Sequence, residues 1–148
     1  MGSEMCIRDR IGGMAFISSN VGAVHAFAET VGAWFDTPHG VANSLFLPYI
    51  MEFNIPACPE RFADIADAMG IEREESMSDE QYALKAVEYV KALNRKLNIP
   101  TIKEIKGITE ERFEAIAERS ANNVLSNDNA RKITKEDYLE LLKKAYNE

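Results

Sequence analysis

The 148-residue chain predicts an all-α fold, and three observations carry that prediction. Apolar residues recur at spacings of three and four, and no stretch alternates apolar and polar with period two. Helix-start signals, a Ser or Thr followed by acidic or amide residues, precede the later apolar runs. No glycine-rich phosphate loop and no strand–turn–helix nucleotide fingerprint appears, so a nucleotide-binding sheet is not expected in these residues. The chain is long enough for one bundle-like domain of six or seven helices around a real core.

Taken in order, residues 1–10 (MGSEMCIRDR) show no helical periodicity and are set apart as a non-native or truncated segment, leaving 11–148 as the domain. Residues 11–19 and 21–35 are Ala-, Gly- and Val-rich and apolar on most faces, which predicts a pair of helices buried all round. The run 36–40 (DTPHG) breaks them, with Thr37 as a cap and Pro38 in the first turn of a helix reaching about residue 53. Residues 54–59 read as a loop. A short amphipathic helix follows from 59 to 69, stopped at Gly70. Ser78 opens a long helix to residue 97, Thr109 one to residue 123, and Thr134 the last, to residue 146.

The net charge of −7 argues against nucleic acid as a partner, because phosphate binding needs a basic face. Ser18, Ser19, Asn20, His25 and Glu29 interrupt the apolar stretch 11–35 and make it a poor membrane span. No basic n-region opens the chain, so no signal peptide is expected. Two cysteines, Cys6 and Cys58, build no disulfide framework; a reducing, cytoplasmic setting is expected.

Chemistry concentrates in the first half. The only two histidines, His25 and His39, lie in the segment between Arg10 and Arg61, which holds no Lys or Arg. Imidazoles in an apolar, cation-free stretch suit a metal, because no ammonium competes and burial favours the neutral ring. His25 and Glu29, four apart, share one helix face. Pro38 forbids a single helix through both histidines, so a reversal at Asp36–Thr37 must bring them together. His39 then sits in a first helical turn, where the dipole favours the neutral ring, and Gly40 leaves room for close approach. An unpaired buried carboxylate at Glu29 would be costly, which implies a partner, a cavity or an active site. Phe16, Trp34 and Phe35 fit packing by their spacing alone, and Cys58 has no ligating company.

The segments GAVHAFAETVG (22–32), PHGVANS (38–44) and LPYIMEFN (47–54), continued by GITEE (107–111), NDNAR (127–131) and TKEDY (134–138), resemble the iron-containing (group III) alcohol dehydrogenases. The resemblance covers the C-terminal helical domain of that family, with its dehydroquinate synthase-like fold. It implies an N-terminal α/β domain, absent here, that binds NAD or NADP. It also implies a metal in the cleft between the domains, held by an Asp and three His. Two of those histidines match His25 and His39; the other ligands belong to sequence before residue 11. Phe16 matches a position bordering the substrate pocket. Glu29 matches a catalytic position where many members carry a proton-relaying histidine and some carry Glu, and Leu125 a pocket position that is Cys in some relatives. A donor set of imidazoles and one carboxylate suits Fe2+, with Zn2+ as an alternative. The implied whole is a homo-oligomer interconverting a small alcohol and aldehyde, and this fragment alone is expected to be inactive. Two other readings remain open: a stand-alone metal-binding module using His25, Glu29 and His39, and a helical interaction fragment whose apolar face awaits a partner.

Overall fold

The computed structural model describes residues 2–148, with side chains described from residue 6 onward. Seven α-helices follow one another, and no strand occurs among the described residues: α1 (Gly2–Ser19), α2 (Ala23–Phe35), α3 (His39–Asn54), α4 (Pro59–Ala68), α5 (Asp79–Lys96), α6 (Phe113–Ala121) and α7 (Lys135–Asn147). Short 3-10 turns at Ile55–Ala57, Ile102–Glu104, Glu110–Arg112 and Val124–Asp128 join them. The all-α reading stands.

Local chemistry explains the helix ends. At α5 the Ser78 hydroxyl accepts from the Gln81 N–H while the Gln81 side chain accepts from the Ser78 N–H. At α7 Thr134 and Asp137 make the same reciprocal box. Gly70, at φ 74°, ends the α4 region where a Cβ would be strained. Thr109, read as a cap, makes no such bond; a 3-10 turn precedes α6 instead. Thr37 does not cap α3 either. It is buried, Pro38 takes the N-cap position, and Asp36 at φ 50° makes the reversal.

Pro48 lies inside α3, where it has no N–H to offer the Ser44 carbonyl four residues back. That carbonyl instead accepts from Asn94 Nδ2 of α5 at 2.6 Å, which satisfies the orphaned acceptor and fastens the two helices.

Two apolar clusters meet along α3. The larger is built from α2, α3, α6 and α7 with Ile102, Ile108 and Ile133. Phe27 of α2 is its centre, stacked on Phe46 at 4.2 Å and edge-on to Tyr138 at 4.6 Å. The smaller joins Met51 and Ile55 to α4 and α5.

Helix α1 departs from the sequence reading in two ways. It runs unbroken through the boundary suggested at residue 10, and it is not buried: Ile11, Met14, Phe16 and Ile17 are 61%, 65%, 53% and 78% exposed. The axis bends by 98° between α1 and α2, so α1 leaves the bundle rather than lying in it. Its apolar residues, spread round the helix, are uncovered rather than buried. No single described helix is long and apolar enough to cross a membrane; α1 and α2 pass only as a bent pair, by length and composition.

Candidate metal centre

The start of α2 is held from a distance. Its first N–H groups have no capping side chain of their own. Asn129, beyond α6, supplies one: its Oδ1 accepts from Ala23 N at 3.3 Å. Asn129 is fixed in turn by a reciprocal amide pair with the buried Asn54 at the end of α3, at 3.2 and 2.7 Å. Gly22 allows this approach, because a Cβ there would lie 3.0 Å from Asn129 Oδ1 and 3.1 Å from its Cα. One turn later stands His25.

Helix α2 turns Ala23, Ala26, Phe27, Ala28, Thr30 and Val31 into the core. His25 and Glu29 lie on the other side, His25 partly exposed and Glu29 exposed. The reversal at Asp36 then brings His39, first residue of α3, beside His25: the ring centroids are 5.2 Å apart with planes tilted by 55°. An ion about 2.1 Å from one nitrogen of each ring would set the centroids roughly 5 Å apart at a near-tetrahedral angle, so the pair fits two corners of a coordination sphere. Burial holds the His25 ring below its ordinary pKa, the nearby His39 adds to that, and Glu29 opposes it more weakly. The neutral, ligating form is therefore favoured at His25.

Two guanidinium groups sit over the C-terminal aromatics of α2, Arg119 over Trp34 at 5.4 Å and Arg112 over Phe35 at 5.8 Å. Cations there complement the negative end of the helix.

Glu29 corrects an expectation. It is exposed rather than buried, and its Oε2 accepts from Asn123 Nδ2 at 2.8 Å. The described residues gather no group of three His, Cys, Asp or Glu able to hold a metal, so the two-histidine, one-carboxylate module does not form among them. Phe16 stands on α1 with more than half its surface open. A Cβ at Gly40 would meet nothing within 4 Å, so the side of α3 next to His39 is open. Leu125 packs against the larger core. Two residues that received no role from the sequence engage the site: Asn123, which holds Glu29, and Asn43, whose Nδ2 lies 3.0 Å from His39 Nε2. The four-residue spacing of His39 and Asn43 was the available signal for the second; nothing local pointed to the first.

The chain is 39% identical over 145 residues to lactaldehyde reductase of Escherichia coli (strain K12), covering 98% of this chain and 38% of that protein. To 1,3-propanediol dehydrogenase of Citrobacter freundii it is 34% identical over 143 residues, covering 97% and 37%. The chain thus spans less than two-fifths of the curated relatives it matches. Among solved structures, an alcohol dehydrogenase from Oenococcus oeni superposes with a TM-score of 0.84 at 41% identity, over 90% of this chain and 35% of that one. A 1,3-propanediol oxidoreductase gives 0.83 at 36% identity, with 90% and 35% covered. Residues 1–146 match the Fe-containing alcohol dehydrogenase family, C-terminal part, and the chain belongs to that family.

Proposed function

We propose that this chain is the helical half of an NAD(P)-dependent alcohol dehydrogenase, in which His25 and His39 supply two ligands of a divalent ion, Fe2+ or Zn2+. The observation that carries the reading is the 5.2 Å approach of the only two imidazoles in the chain, produced by the Asp36 reversal in a member of an iron-containing family. The remaining ligands and the NAD or NADP site belong to an α/β domain docked over the His25–His39 edge and the open apolar face of α1. The bound ion would act as a Lewis acid on the oxygen of a small alcohol or aldehyde.

The chain's own residues then have separable tasks. His25, kept neutral by burial, offers a lone pair without first losing a proton. His39, projecting from the exposed start of α3, completes the pair. Glu29 is fixed by Asn123 on the same face of α2 as His25, where a carboxylate can hold or pass a proton. Phe16 forms part of the apolar wall that the docked domain closes over the substrate. The intact enzyme is a homo-oligomer on this reading.

Anaerobic titration of the chain with Co(II), followed in the visible spectrum, tests the half-site. Weak binding abolished by His25→Ala or His39→Ala and indifferent to Glu29→Ala is expected. Binding that survives both histidine substitutions refutes the assignment. With NAD or NADP, metal and short primary alcohols, the lone chain is expected to reduce no nicotinamide; sustained turnover would refute the division of labour between two domains.

A further inference from the structure

The side-chain amide of Asn43 spends both of its hydrogens on one residue. Nδ2 lies 3.0 Å from His39 Nε2 and 2.9 Å from the His39 carbonyl oxygen. The Oδ1 atom at the other end is buried and accepts nothing from the described residues. Reversing the amide would not relieve this. It would face Oδ1 toward the His39 carbonyl, two acceptors together, and bury an NH2 with no acceptor in reach, a worse loss than one idle oxygen. The observed orientation is thus fixed by His39, and it has one consequence for the ring. A donor aimed at Nε2 requires that nitrogen to be unprotonated, so the ring hydrogen sits on Nδ1. Free imidazole side chains favour the opposite tautomer.

We propose that Asn43 is a positioning residue for His39: it holds the ring in the Nδ1–H tautomer and keeps the Nε2 lone pair ready, to be exchanged from the amide to an incoming ion. The last clause rests on the metal reading above; the tautomer does not. An Nε2 already stripped of its proton can ligate without tautomerising, and the exposed side of α3 beside Gly40 leaves room for the exchange.

Long-range proton–nitrogen NMR of the imidazole nitrogens, without metal and above the histidine titration range, reads the tautomer directly. The wild-type chain is expected to show His39 with Nε2 unprotonated. Asn43→Ala and Asn43→Asp are both expected to move the proton to Nε2, the first by removing the donor and the second by presenting an acceptor. A dispersed amide spectrum confirms that each variant is folded, and the two chemically different substitutions guard against one failing. An Nε2–H tautomer in the wild type, or an unchanged tautomer in a folded variant, overturns the proposal. Zinc is then added to the wild type as a diamagnetic probe. Displacement of the Asn43 side-chain NH2 signals together with both imidazoles supports the exchange. Imidazole shifts with an unmoved Asn43 amide overturn it. No imidazole shift at all counts against the metal assignment and leaves the tautomer result standing.

Discussion

Removing the Asn129 side chain would show how the start of α2 is held. Asn129→Ala deletes both bonds to Asn54, the bond to Ala23 N and the 2.8 Å bond to the Arg131 carbonyl. Asn54, only 7% exposed, is left with neither amide end paired. Each buried polar group stranded in this way costs about 1–3 kcal/mol, so a loss of about 3 kcal/mol is expected in all. For a chain of this size that corresponds to a Tm lowered by about 9 °C. Urea unfolding is the assay, with an unchanged m-value showing that the denatured state is unaltered. Asn54→Ala alone should cost about 2 kcal/mol for the same reason. The double variant is the decisive measurement. With both amides gone nothing is stranded between them, so its loss should fall short of the sum by about 1.5 kcal/mol. Additivity to within about 0.5 kcal/mol would refute the view that the two amides satisfy each other.

Other substitutions probe different links. Asn94→Ala strands the Ser44 carbonyl freed by Pro48, with an expected loss of about 1–2 kcal/mol in urea unfolding, part of which Pro48→Ala should recover by restoring an N–H. The Tyr138 phenol is pushed up to about 12, chiefly by burial, so it should ionise above the ordinary tyrosine range in ultraviolet difference titration, and Tyr138→Phe should remove its share of that step while leaving that of Tyr49, also pushed up to about 12. Because the native phenol keeps its proton where the unfolded one has lost it, stability should fall as pH rises past about 10. His25 has the opposite direction: its native pKa is lowered, so the unfolded chain binds the proton first. Stability should therefore decline as pH drops through about 6.5 and level off once the native ring is also charged, and His25→Gln should flatten that part of the profile.

Much of the fold was legible because its helices are specified locally. Ser78 with Gln81, Thr134 with Asp137, and Gly70 are residues whose meaning lies within four positions of themselves. Thr37 and Thr109 carry the same signal, yet neither caps. A left-handed Asp36 with Pro38 at the N-cap replaces the first, and a 3-10 turn the second. The pairing of His25 with His39 was legible because Pro38 leaves the chain no alternative to turning. The Asn54–Asn129 knot was not, since its partners are 75 residues apart and each amide alone looks like an ordinary surface residue. Helix α1 misled for a physical reason: apolar composition on most faces states that a helix avoids water, not which surface covers it.

Glu29 and Thr30 separate the two faces of α2 most sharply. An apolar helix read from composition places Glu29 in the core, and then Glu29→Ala should alter stability by several kcal/mol. The structure makes the opposite statement. Glu29 is exposed and, among the described residues, bonded only to Asn123, so its removal should change stability by no more than about 0.5 kcal/mol. Thr30, its neighbour, is 1% exposed; it donates to the Ala26 carbonyl at 3.0 Å and accepts from Ser120 Oγ at 3.1 Å. Ser126 continues the chain of hydroxyls by donating to the Ser120 carbonyl and receiving the Tyr138 O–H. Thr30→Val keeps the shape of the side chain but leaves the buried Ser120 hydroxyl with no acceptor at that site, at a cost of about 1–3 kcal/mol. Equal effects at the two positions, or a larger one at Glu29, would mean that α2 is rotated from the orientation described. His25, four residues before Glu29 on the same stripe, would then no longer face His39.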